Sequence, residues 1–206
     1  MLTDYVKRKE LLLELNSSIS DCSLCPLSSS RTNTVPGEGS IETPVVFVGE
    51  GPGADEDASG RPFVGKAGEL LTKILDSVRL SRQDVFITNI VKCRPPKNRV
   101  PSAEEQRACS PYLLSQLAII KPKLIVALGA TALSYFVERD GLQITKVRGQ
   151  LFDWIGGIKV FVMFHPSYLL RNASRAPGSP KSLTWEDIQK VRKMYDQLLA
   201  GEEIDI

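Results

Sequence analysis

The sequence predicts an α/β protein, a three-layer α/β/α sandwich around a central four-stranded parallel sheet. Four runs rich in apolar and β-branched residues carry this expectation: VVFV at 45–48, VFITNIV at 85–91, LIVALG at 124–129 and KVFVMF at 159–164. Helical segments alternate with them, the pattern of parallel strands joined by right-handed crossovers. The first run is unbroken, as expected of a strand covered on both faces.

The chain has 206 residues, of which 42% are hydrophobic, which supports one domain over residues 1–206 with a substantial core. Its first twenty residues mix acids and bases among their leucines, so they read as neither a signal peptide nor a membrane span. The expectation is a cytoplasmic, soluble protein with no membrane partner.

Taken in order, residues 4–16 predict a first helix ending near Asn16, Ser17 and Ser18. Cys22 and Cys25 follow as C-x2-C, then a polar, turn-rich connector over 28–44. The stretch from 44 to 78 organises the rest: a buried strand, a turn from Gly49 to Gly53, a loop over 54–65, and a helix. Leu70, Leu71, Ile74, Leu75 and Val78 recur with the spacing of an amphipathic helix. After the second strand, Pro95, Pro96 and Pro101 interrupt regular structure, and a helix restarts at Ser102 with Glu105 completing a capping box. Cys109, Leu113, Leu117 and Ile120 share one face of that helix, so Cys109 points inward. The third strand leads to a short helix over 130–138 and an extended segment or hairpin over 147–154. The fourth strand delivers the only histidine, His165, followed by a long loop and a last helix capped by Thr184, with Asp187 three residues on.

Gly49, Gly51 and Ala54 fit G-x-G-x-x-A after a strand, a dinucleotide signature. Three features speak against it: the loop before the helix, the acidic run Asp55, Glu56 and Asp57, and a second strand that ends in Lys92 and Cys93 rather than an acid. The net charge of +2 predicts no partner by itself, but residues 85–103 and 154–185 contain no acid. The first carries Lys92, Arg94, Lys97 and Arg99, the second Lys159, Arg171, Arg175 and Lys181, a distribution suited to a polyanion.

In an open α/β sheet, ligands bind at the carboxyl ends of the strands. Glu50, Asn89 and His165 all fall at that edge, and polar groups gathered there need a joint explanation. The four cysteines, Cys22, Cys25, Cys93 and Cys109, are compatible with disulfides or with a metal. A zinc ribbon usually shows two C-x2-C knuckles, and here there is one.

GEGPG, GRPFVGKAG, TNIVKCRPP and HPSYLLRNASRAPGSP, in this order with C-x2-C upstream, resemble the family 4 uracil-DNA glycosylases, the iron-sulfur branch of that superfamily. The resemblance runs from about Cys22 to Trp185 and implies the uracil-DNA glycosylase fold. It implies a flipped uracil stacked on Phe63, read by Asn89, bonded at O2 by His165, and lined by Gly49, Glu50 and Gly51. Glu50 would position or activate water or stabilise the positive sugar, making Glu50 and His165 the catalytic pair. It also implies a 4Fe-4S cluster on Cys22, Cys25, Cys93 and Cys109.

The basic inserted loop with which a sister branch links itself covalently to DNA is missing, and Lys66 and Lys92 do not sit in the pocket motifs in a way that demands Schiff-base chemistry. The expectation is a monofunctional, monomeric repair enzyme acting on single- or double-stranded uracil-containing DNA. The loop from Pro166 to Lys181, with Leu169, Leu170, Arg171 and Arg175, is expected to contact that DNA. The rival from another class is a non-catalytic or redox iron-sulfur protein that binds nucleic acid with the same basic face. It has no need for Glu50, Asn89 and His165 at one edge.

Overall fold

The computed structural model describes residues 2–139, 141–172 and 174–204. In chain order they form α1 (Leu2–Ser20), β1 (Glu38–Gly39), β2 (Val45–Gly49), α2 (Ala54–Ser59), α3 (Lys66–Ser77), β3 (Phe86–Asn89) and α4 (Ala103–Ile120). There follow β4 (Leu124–Leu128), α5 (Ala130–Phe136), α6 (Ile144–Val147), β5 (Leu151–Asp153), β6 (Lys159–Met163), α7 (Pro166–Arg171) and α8 (Pro180–Leu199).

The sheet runs β1-β3-β2-β4-β6-β5. Its inner strands β3, β2, β4 and β6 are parallel and are the four that the apolar runs predict. The expected four-stranded sheet is nonetheless six-stranded, because β1 pairs antiparallel with β3 and β5 antiparallel with β6. These edge strands are two and three residues long and only half-buried to exposed, so they lack the continuous apolar run that marks the inner four.

Successive side chains of each inner strand enter opposite cores. Val46, Val48, Ile125 and Ala127 pack with Leu113 and Leu117 of α4. Val45, Phe47, Val126 and Leu128 pack with Leu71 and Leu75 of α3 and with Ile188 and Val191 of α8. This is the three-layer arrangement predicted.

Three helix starts differ from the expectation. Residues 54–59 form α2 where a continuous loop was predicted, because Glu56 Oε2 accepts the Gly53 N–H at 3.0 Å and caps the turn. Pro166–Arg171 forms α7 inside the predicted loop, with Pro166 in its first turn. The last helix begins at Pro180 behind the N-cap Ser179, a turn before Thr184, whose hydroxyl donates back to the Pro180 carbonyl at 2.7 Å. The capping box of α4 is as predicted: Glu105 N–H donates to Ser102 Oγ, and Ser102 N–H to Glu105 Oε2. Among the described residues no helix is long and apolar enough to cross a membrane.

Candidate active site and thiol cavity

The parallel strands end beneath a cavity of about 410 Å³ lined by Glu50, Gly51, Phe63, Asn89 and His165. Four separate segments of the chain thus meet at the sheet edge. Gly49 lies just below: a Cβ there would come within 2.5 Å of the Phe63 ring and 2.6 Å of Asn89 Oδ1, so only glycine lets the two approach.

Phe63 is held in an unusual backbone conformation, φ 51°, and is 6% exposed. Two charged side chains brace it, one seven residues before it and one nineteen after. Glu56 Oε1 accepts the N–H groups of Val64 and Gly65 at 2.8 and 2.9 Å. Arg82 donates to the Pro62 and Phe63 carbonyls at 2.6 and 3.1 Å, and Glu38 on β1 orients Arg82 with bonds of 2.7 and 2.9 Å. The short edge strand therefore helps aim the aromatic ring. That ring lies 5.7 Å from the His165 ring, centroid to centroid.

Asn89 is 2% exposed, and its Oδ1 is buried without a hydrogen-bond partner. A buried acceptor left unpaired is costly, and one beside a cavity is open to an N–H from a molecule bound there. His165 caps α7: its Nδ1 accepts the Ser167 N–H at 3.2 Å and lies 2.8 Å from Ser167 Oγ. Because Nδ1 accepts, the neutral ring carries its proton on Nε2. Burial, then the nearby Arg171 charge, push His165 down to about 4, so the ring is neutral at pH 7. Glu50 accepts a hydrogen bond from the Thr131 hydroxyl on α5, which fixes one of its carboxylate oxygens.

The sequence reading missed Glu56, Arg82 and Thr131. Glu56 had a legible signal, an acid three residues after the turn glycine Gly53, whereas Arg82 and Thr131 had none. Lys66 lines the cavity rim, but Lys92 is 1% exposed and binds Thr88, Asn89 and Gln116 away from it.

The expected DNA-contacting residues separate. Leu169 is 2% exposed and belongs to the core, contrary to expectation, because the α7 turn directs it inward. Leu170 is 46% exposed. Arg171 is exposed and lines the cavity, while Arg175 is exposed but not part of its lining. Ala173 in this segment lies outside the described residues. The expected positive face is mixed at the cavity: Arg99 lines it but is bound by Glu105 at 2.7 and 2.6 Å, and Asp55 and Glu56 line it too.

A separate cavity is lined by all four cysteines, together with Leu24, Leu27, Arg31 and Tyr112. Cys22 and Cys25 follow α1, Cys93 follows β3, and Cys109 sits on α4; all four are free thiols. Arg31 donates to Cys93 Sγ, and the Lys92 N–H donates to Cys109 Sγ, each at 3.3 Å. Burial pushes the Cys109 thiol up to about 11 and raises Cys93 as well. The thiols surround this space without closing on one point: no three His, Cys, Asp or Glu among the described residues form a group that could hold a metal ion.

Residues 36–189 match the family model described as the uracil DNA glycosylase superfamily. The type-4 uracil-DNA glycosylase of Thermotoga maritima is 54% identical over 185 residues, 90% of this chain and 95% of that protein. Those of Pyrobaculum aerophilum and Archaeoglobus fulgidus are 48% and 44% identical, each over 78% of this chain and over 85% and 84% of their own lengths.

Proposed function

The chain belongs to the uracil-DNA glycosylase superfamily, and on that footing we propose that it is a monofunctional repair enzyme that extrudes uracil from DNA, hydrolyses its N-glycosidic bond and leaves an abasic site. The observation that carries this reading is the buried, unpartnered Oδ1 of Asn89, a residue that lines the cavity together with Phe63. Uracil N3–H supplies the missing donor, and the Asn89 amide donates to O4. Phe63 stacks on the base and so offsets part of the unstacking cost.

Bond cleavage leaves negative charge on uracil and positive charge on deoxyribose. The Nε2–H of His165 donates to O2, where the anion develops, without needing the ring to be charged. Glu50 carries the opposite task, directing water or stabilising the sugar cation, with Thr131 holding its orientation. Gly49, Glu50 and Gly51 line the base with backbone. Leu170 and Arg171 meet the DNA strand, with Arg175 on the loop that follows α7.

We assign Cys22, Cys25, Cys93 and Cys109 as ligands of a 4Fe-4S cluster. What supports this is that all four cysteines, brought from three separate segments, line one small cavity of about 10 Å³. N–H groups aimed at Cys93 and Cys109 are the hydrogen bonds that ligating sulfurs accept. The cluster supplies cross-linking, joining the segment after α1 to β3 and α4. Residues 1–206 form one domain in this reading, acting as a cytoplasmic monomer.

The deciding experiment incubates the cluster-replete protein with a uracil-containing oligonucleotide, then treats the DNA with alkali to cut at abasic sites. Cleavage only at the uracil position, with free uracil released, is expected. Intact DNA over a broad range of temperature and salt overturns the reading.

A further inference from the structure

A second cavity, of about 450 Å³, lies on the other side of Glu50 and His165. Both cavities are lined by Glu50, Asn98, His165, Ser167 and Arg171, so they adjoin along these residues. Their chemistry differs. Where the first offers Phe63, Asn89 and loop backbone, the second has a floor of buried Leu128 and Phe164, with Ile144 and Tyr168 half-buried at its sides. Tyr168 leans on Phe164 with ring centroids 5.1 Å apart. Glu50 is the only carboxylate among the lining residues, and Thr131 bonds its Oε2.

We infer that this second cavity is a subsite for one nucleotide adjacent to the uracil on the same strand, its base lying against Tyr168 and Ile144 and its phosphate facing Arg171. The inference rests on the excision reading, and three considerations lead to it. The volume is that of a small-molecule pocket. An apolar, aromatic-lined recess with a cation at its mouth is what a stacked base and its phosphate require. Continuity of the strand does the rest. With uracil in the first cavity, its deoxyribose sits at the Glu50 and His165 wall, so a neighbouring nucleotide leaving past Arg171 reaches the second cavity directly.

The geometry demands a one-sided effect, since one cavity holds one neighbour. The test uses single-stranded oligonucleotides, which need no duplex opening, carrying uracil with both neighbours intact, with the 5′ base removed, or with the 3′ base removed. Removing the base on one side only is expected to lower kcat/KM about tenfold, the scale of one lost base-aromatic stack. Tyr168→Ala is expected to show that loss on the intact oligonucleotide and no further loss when the base is removed, whereas Tyr168→Phe keeps the wild-type dependence. Ile144→Ala, also in the lining, provides the same readout if Tyr168→Ala does not fold.

Equal wild-type kcat/KM on all three oligonucleotides overturns the subsite. So does full dependence on the neighbouring base in both Tyr168→Ala and Ile144→Ala. Absence of uracil release by the wild type from all three is a different result, which overturns the excision reading and the subsite with it.

Discussion

Lys92 Nζ donates to the backbone carbonyl of Asn89 at 2.7 Å from a position that is 1% exposed. The same Nζ donates to Thr88 Oγ1 at 2.6 Å and Gln116 Oε1 at 2.7 Å, and burial pushes this lysine down to about 7. Its own N–H reaches Cys109 Sγ. One buried side chain thus ties the residue proposed to read the base to the helix that carries a proposed cluster ligand. Lys92→Met removes the donor shared by these three acceptors and is expected to lower stability by about 3 kcal/mol. Urea unfolding followed by circular dichroism measures this; an unchanged midpoint and slope would show that the network holds nothing in place.

His165 is the only histidine, so its titration can be read without assignment ambiguity. ¹⁵N NMR is expected to show a neutral ring protonated at Nε2 and a pKa near 4, depressed mainly by burial. Between that value and the unfolded value of about 6.5, the unfolded chain binds more protons. The contribution of this group to stability is therefore complete above about pH 6.5 and is lost as pH falls through the window toward 4. A histidine that titrates near 6.5 contradicts the buried, Ser167-bonded ring.

Asn89→Asp replaces the amide donor with an acceptor beside an acceptor that is already unpaired. Uracil O4 then faces a carboxylate, and excision of uracil is expected to fall by a factor on the order of 10⁴, while excision of cytosine, whose N4 donates, gains relative to it. Single-turnover rates on uracil and cytosine oligonucleotides give the ratio. Unchanged uracil excision takes Asn89 out of the pocket.

Leu169 and Leu170, adjacent in sequence, are expected to behave oppositely. Leu169→Ala empties core volume and should cost about 2 to 5 kcal/mol of stability. Leu170→Ala should leave stability nearly unchanged and weaken excision from a uracil-adenine pair more than from single-stranded DNA, where no stack must be held open. Equal losses on the two substrates would remove Leu170 from the wedge role.

Anaerobically purified protein is expected to be brown and to contain iron and sulfide. Cys109→Ser should bleach it and loosen the packing of α4 against β3, lowering its thermal midpoint. A colourless wild-type protein with stoichiometric zinc would replace the cluster with a single ion.

Much of this molecule was legible in its sequence, and the legible part is local. Val45–Val48 and Leu124–Leu128 announce inner strands because a strand buried on both faces must be apolar throughout. Ser102 and Glu105 announce a helix start because cap and acid are three residues apart. Glu50, Asn89 and His165 could be placed at one edge because parallel strands put their carboxyl ends together. The edge strand β1 and the helices α2, α6 and α7 were missed, being too short for periodicity to register, whereas β5 lies in the extended segment or hairpin expected over 147–154.

Only the tertiary structure decided how the site residues are held. The Thr131 bond to Glu50 spans 81 residues and the Arg82 brace on Phe63 spans 19. The proton position on His165, the unpaired oxygen of Asn89 and the inward turn of Leu169 likewise depend on neighbours that no local pattern names. Periodicity and capping record what a segment prefers within a few residues, whereas a hydrogen bond between distant segments exists only after packing has closed the chain between them.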